Sequence, residues 1–206
     1  MTEEHILIIM EYMNGDLNSF AGSFNDILED EDEEEHPLWQ LAKDMSEELD
    51  NLHTVGISHN DIKPGNILFQ IQSDRTQFKI GDGGYSSISK TLQSLASHTN
   101  SGNNQFRPPA ISASDNKLDR FQRLSGDVFS IAVLTFYLST GNYPYGEYQL
   151  RINDVKAEFS FNTWASLYGQ NDPSSIEKLD NPTIRKFLEK SLKLKPSERM
   201  TSREFY

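Results

Sequence analysis

The 206-residue sequence predicts a mainly α domain of the α+β kind, with one small β-hairpin and one helix at its centre. Three observations predict this. Leu38, Leu41, Met45, Leu49 and Leu52 recur at three- and four-residue steps, which places one apolar stripe along a helix. The segment GDVFSIAVLTFYLSTG, residues 126–141, is apolar nearly all round, the pattern of a helix buried in a core. Between them, NILFQI and QFKIG read as two strands joined by the turn-rich QSDRT. Strands and helices do not alternate along the chain, so no parallel sheet is expected.

The elements follow in order. HILIIM at 5–10 is a continuous apolar run suited to a buried strand, and NGD at 14–16 ends it. A short helix carries Leu17, Phe20, Phe24, Ile27 and Leu28 on one face. EDEDEEE at 29–35 is seven consecutive acids, whose mutual repulsion keeps them solvated in a surface loop. Pro37 suits the first turn of the striped helix and Gly56 its stop. Residues 82–117 are rich in Gly, Ser, Thr and Asn and read as a long loop. Asp127 and Gly141 read as punctuation of the central helix. NPTIRKFLEKSLKL at 181–194 is a last amphipathic helix, with Pro182 at its start. No internal repeat is visible.

Composition excludes several classes. A net charge of −12 disfavours sequence-independent nucleic-acid binding and anionic membranes, both of which ask for a basic surface. With no cysteine, disulfides and thiolate chemistry are ruled out. The five histidines are scattered at 5, 36, 53, 59 and 98, which does not suit a metal held by imidazole. The start of the sequence lacks the basic region of a signal peptide, and Thr2 is not a myristoylation site. The longest apolar stretch, IAVLTFYL, falls far short of the ~20 residues that span a bilayer. A soluble, intracellular protein is expected.

The chemistry concentrates in SHNDIKPGNILF, residues 58–69, where Lys63 and Asn66 follow Asp61 at offsets of two and five. A polar turn ahead of a strand accounts for the residue types. A loop that moves a phosphoryl group accounts for the combination, since that reaction asks for positioning and charge control. Asp61 is then the base for an attacking hydroxyl, Lys63 the cation near the phosphate, and Asn66 an oxygen ligand for Mg²⁺. Asp82, at the far end of the hairpin, returns beside Asn66 as the second metal ligand.

HNDIKPGNIL resembles the catalytic loop of eukaryotic-type protein kinases, H-R-D-x-K-x-x-N, and KIGDGG resembles their metal-binding D-F-G segment. LIIMEYMNGDL resembles the strand and hinge that contact adenine, and FRPPA the A-P-E element. GDVFSIAVLTFYLSTGNYPYG resembles the central helix and the turn after it, and KPSERMTSREF the arginine-bearing segment near the domain's end. The six pieces occur in family order over nearly the whole chain, and Lys63-Pro64 favours the Ser/Thr branch.

The resemblance implies a protein-kinase-like C-lobe, with residues 5–13 as the last N-lobe strand and hinge, 14–206 as the C-lobe and 82–110 as the activation segment. It implies ATP and Mg²⁺ as cofactors, a protein Ser/Thr substrate and a regulatory protein partner. The backbone of Glu11 and Met13 would bind adenine, with Met10 as gatekeeper. Asp16 would reach the ribose or cap a helix, His59 would brace the loop, and Asp127 would hydrogen-bond the loop's backbone.

Four departures from the family pattern set further expectations. The 206 residues hold no Gly-rich loop, lysine or helix glutamate ahead of Glu11, so the N-lobe is expected to be missing and the isolated chain inactive. The family's Arg is Asn60, which points to control by other means than a phosphorylated loop. Gly83 and Gly84 stand where D-F-G has Phe-Gly, so Asp82 is expected to be weakly held. Ala110 replaces a glutamate whose partner would be Arg199. Two rival readings follow: a pseudokinase-like interaction module, and a small-molecule kinase of related fold.

Overall fold

The computed structural model describes residues 10–19, 37–73, 75–83, 87–88, 106, 108, 119–141, 144, 176, 179, 181–193 and 195–205. Residues 5–9 of the strand expected at 5–10, the helix face beyond Leu17, the acidic run and most of the 82–117 loop lie outside them. In chain order the elements are β1 (Gly15–Asp16), α1 (Pro37–Thr54), β2 (Ile57–Ser58), β3 (Ile67–Ile71), β4 (Thr76–Ile80), β5 (Ser87–Ile88), α2 (Arg120–Thr140) and α3 (Pro182–Ser191).

α1 begins at Pro37 and buries Leu38, Leu41, Met45 and Leu49 of the expected stripe, with Ala42 beside them; Leu52, the last of the stripe, is partly buried against the core. It stops where expected: Gly56 takes φ +81°, a conformation that costs a side-chain-bearing residue energy, and its N–H donates to His53 O at 3.0 Å. β3 and β4 form the hairpin, antiparallel from Ile67↔Ile80 to Ile71↔Thr76. Gln72 N–H donates to Arg75 O across the turn at 2.9 Å. The paired Phe69 and Phe78 both reach the core. β1 adds to the other edge of β3 with Gly15 opposite Phe69, so the order is β1-β3-β4. β2 pairs separately with β5.

α2 is the central helix, but it starts six residues before the position expected from its apolar run. Asp119 and Gln122 form a reciprocal capping box that sets the start at Arg120, and Gly141 ends the helix at φ +68°. Asp127 is therefore not punctuation; it lies in the second turn, in the core. Val128, Phe129, Ile131, Ala132, Val133, Leu134 and Phe136 are all buried, at about 1.5–3 kcal/mol for each large side chain. α1 packs against both α2 and β4. α3 is capped by Asn181, whose side chain accepts from the Thr183 and Ile184 N–H groups, and it buries Ile184, Phe187 and Leu188. Phe205 packs edge-on between Trp39 of α1 and Phe187 of α3, at 4.8 and 4.4 Å between ring centroids. Among the described residues no helix is long and apolar enough to cross a membrane.

Candidate active site

The loop from His59 to Asn66 joins β2 to β3, and it hangs from α2. The Asp127 carboxylate, 1% exposed, accepts the His59 N–H on Oδ2 and the Asn60 N–H on Oδ1, both at 2.8 Å. His53 of α1 donates through Nε2 to the same Oδ2 at 3.1 Å, and its Nδ1 lies within hydrogen-bond distance of the Ser202 hydroxyl at 3.2 Å. Asn60 sits at φ +65°, a region asparagine tolerates better than most residues, and its amide donates to Ser58 O and Oγ. His59 ties the loop to the hairpin: its Nε2 donates to Gly81 O at 3.0 Å, while Gly81 N–H donates to Asn66 O at 2.8 Å.

Within this frame three of the expected site residues meet. Lys63 Nζ lies 2.7 Å from Asp61 Oδ2. Asn66 Nδ2 donates to Asp61 O and Oδ2 at 2.8 and 2.9 Å. With its NH₂ so engaged, the amide oxygen of Asn66 faces away from Asp61. The Asp61 and Asn66 side chains are buried while Lys63 is half-buried. Asp82 follows Gly81 directly, so the hairpin does bring it back to the Asn66 end of the loop. It is exposed and takes φ +53°. Gly65 lies so close to the Asn18 side chain that a Cβ there would meet Nδ2 at 2.9 Å.

The expected adenine-contact segment runs along the hairpin edge. Asn14 N–H donates to Phe69 O, Ile71 N–H to the Asn14 side chain, and the Gln70 side chain to Tyr12 O at 3.3 Å. Glu11 is exposed and Met13 half-buried; Met10, expected as gatekeeper, is 67% exposed. Asp16 acts as a cap: its Oδ1 accepts the Ser19 N–H at 3.0 Å while its own N–H donates to Ser19 Oγ. Arg199, expected to face a missing glutamate, donates to Lys193 O and Ser125 O and lies over the Phe129 ring at 4.7 Å.

Sequence reasoning missed two contacts. One is the link from His53 to Asp127; the other is an ion pair of 2.5 Å between Lys79 and Glu11. That bond raises the Lys79 pKa. Burial raises the pKa of Asp44, against the opposing effect of the Phe78 N–H and Gln40 amide that it accepts at 2.9 and 2.6 Å. Burial also raises Glu48, with Lys79 opposing it.

Among the described residues no group of three His, Asp or Glu side chains is placed to hold a metal by itself. Asn66 and Asp82 offer two hard oxygen donors, which fits Mg²⁺, an ion usually held by one or two protein groups together with substrate phosphates and water.

A mainly helical lobe carrying this loop beside a small hairpin is a protein-kinase-like fold. It aligns with a crystal structure of the Rad53 kinase domain and SCD2 at a TM-score of 0.66, covering 95% of this chain and 61% of that one; at 21% identity the likeness shows the fold alone. The family model described as protein kinase domain matches residues 1–206, and the chain belongs to that family. Its curated relatives carry serine/threonine kinase names. Serine/threonine-protein kinase 17A of Oryctolagus cuniculus is 29% identical over 98% of this chain and 47% of its own length. Serine/threonine-protein kinase stk11 of Xenopus laevis is 37% identical over 54% of this chain and 26% of its own. The probable serine/threonine-protein kinase irlC of Dictyostelium discoideum is 32% identical over 72% of this chain and 9% of its own. The chain thus spans less than half the length of these relatives.

Proposed function

We propose that the chain forms the catalytic lobe of a serine/threonine protein kinase, which transfers the γ-phosphate of ATP to Ser or Thr hydroxyls of a protein. The observation that carries this reading is the Asp61 carboxylate held between Lys63 and Asn66 on a loop fixed to the core by Asp127. Asp61 orients the substrate hydroxyl and accepts its proton as the new P–O bond forms, a contribution of about 10²–10⁴ in rate. Lys63 balances negative charge on the transferred group. Asn66 and Asp82 hold Mg²⁺, which when bound neutralises charge on the phosphate oxygens. The backbone of Glu11 and Met13 takes the adenine, and the Asp16 carboxylate, already a cap through Oδ1, turns its other oxygen to the ribose.

With Asn60 in place of the family's arginine, regulation runs through a protein partner rather than through pairing with a phosphorylated loop. The 206 residues alone are inactive, because no Gly-rich loop or lysine within them covers the phosphates. The test is Mg²⁺-dependent phosphotransfer to Ser/Thr peptides by the 206-residue chain and by the longest product its gene encodes, each with and without Asp61→Ala. Turnover is expected only in the longer product and is lost with Asp61→Ala. Turnover that survives the substitution refutes the role of Asp61.

A further inference from the structure

We infer that Lys79 is a positioning residue for nucleotide binding, acting through the Glu11 side chain on the hinge segment. The inference rests on the kinase reading above, in which the backbone of Glu11 and Met13 meets the adenine.

Alternation along β4 sends Phe78 into the core and Lys79 to the opposite face. From there its ammonium reaches a carboxylate 68 residues earlier in the chain. The pair is partly shielded, with the Lys79 side chain 28% and the Glu11 side chain 53% exposed. β4 also packs against α1, and the Lys79 charge opposes the burial that raises the Glu48 pKa there. The hydrogen bonds from the hairpin to this segment begin at Tyr12, whose carbonyl accepts from the Gln70 side chain, and continue through the Asn14 N–H to the β1 pairing. The Lys79 bond carries the attachment one residue further back, to Glu11, where the proposed adenine contacts start. A segment that is already fixed loses less conformational freedom when a base docks on it, and that saving appears as affinity.

Partly exposed ion pairs contribute little to overall stability, so the effect should fall on the nucleotide and not on the fold. The experiment measures the Kd of a fluorescent ADP analogue with Mg²⁺, the amide exchange of residues 11–13 and the melting temperature. The proteins are the longest product the gene encodes and its Lys79→Met, Lys79→Arg and Lys195→Met variants. Lys195→Met removes another exposed ion pair, with Glu198, and serves as control. Lys79→Met is expected to raise Kd roughly two- to fivefold and to speed exchange at residues 11–13, with the melting temperature nearly unchanged. Lys79→Arg restores most of the affinity, and Lys195→Met leaves it unaltered. Equal Kd values for wild type and Lys79→Met, or unchanged exchange at residues 11–13, overturn the assignment while leaving the kinase reading intact. A wild-type longest product that does not bind the analogue overturns the kinase reading and this assignment together.

Discussion

Replacing Asp127 separates the contribution of the α2 anchor from that of the loop itself. In Asp127→Ala the His59 and Asn60 N–H groups both lose their acceptor, and so does His53 Nε2. A buried donor left without a partner costs about 1–3 kcal/mol. The His59 N–H is buried and bears the full penalty, whereas the Asn60 N–H is half-buried and recovers part of its loss from water. The sum is roughly 2–4 kcal/mol, a large share of the ~5–15 kcal/mol of a typical domain. Asp127→Asn keeps one acceptor oxygen but turns an NH₂ toward the other donor, so its cost is intermediate, roughly 1–2 kcal/mol. Urea unfolding gives the two values, and amide exchange at residues 59 and 60 locates them. The reasoning fails if Asp127→Ala unfolds within about 0.5 kcal/mol of wild type, or if exchange at those two amides stays as slow as before.

Two more perturbations address the frame around the loop. Gly56→Ala forces a Cβ into the left-handed region at φ +81° and against the Arg120 guanidinium; it should cost roughly 1–2 kcal/mol and lower the melting temperature by about 3–6 °C in a circular-dichroism scan. Asp44 has a raised folded-state pKa, so its contribution to stability is fully present below the unfolded carboxylate range and is lost as pH rises through the folded value. Asp44→Asn, which keeps an acceptor for the Phe78 N–H, should therefore gain in urea midpoint over wild type at pH 7, with the gain shrinking toward pH 4; a difference independent of pH would contradict this.

Local patterns in the sequence made the helices and the hairpin legible. The Leu38–Leu49 stripe, Pro37 and Gly56 are all short-range signals, and each one marks the element that forms. The start of α2 was misplaced because Arg120, Gln122 and Arg123 dilute the apolar pattern. The Asp119–Gln122 capping spacing was the signal that would have found it. Asp61, Lys63 and Asn66 were legible as a cluster because they lie within six residues, and Asp82 because a hairpin folds back on itself. Lys79–Glu11 and His53–Asp127 were not, because they join residues 68 and 74 apart through tertiary packing that no local period encodes. Arg199 shows the same limit: its guanidinium reaches the Lys193 and Ser125 carbonyls and lies over the Phe129 ring, contacts that no local period encodes.

Suspending the His59–Asn60 turn from the middle of the protein, and not from its own rim, gives it no independent melting point. Heat that loosens the interior releases the turn in the same event, and any change that tightens the interior steadies it. Drift in the interior's packing over evolutionary time would therefore register first as a change in the posture of Asp61.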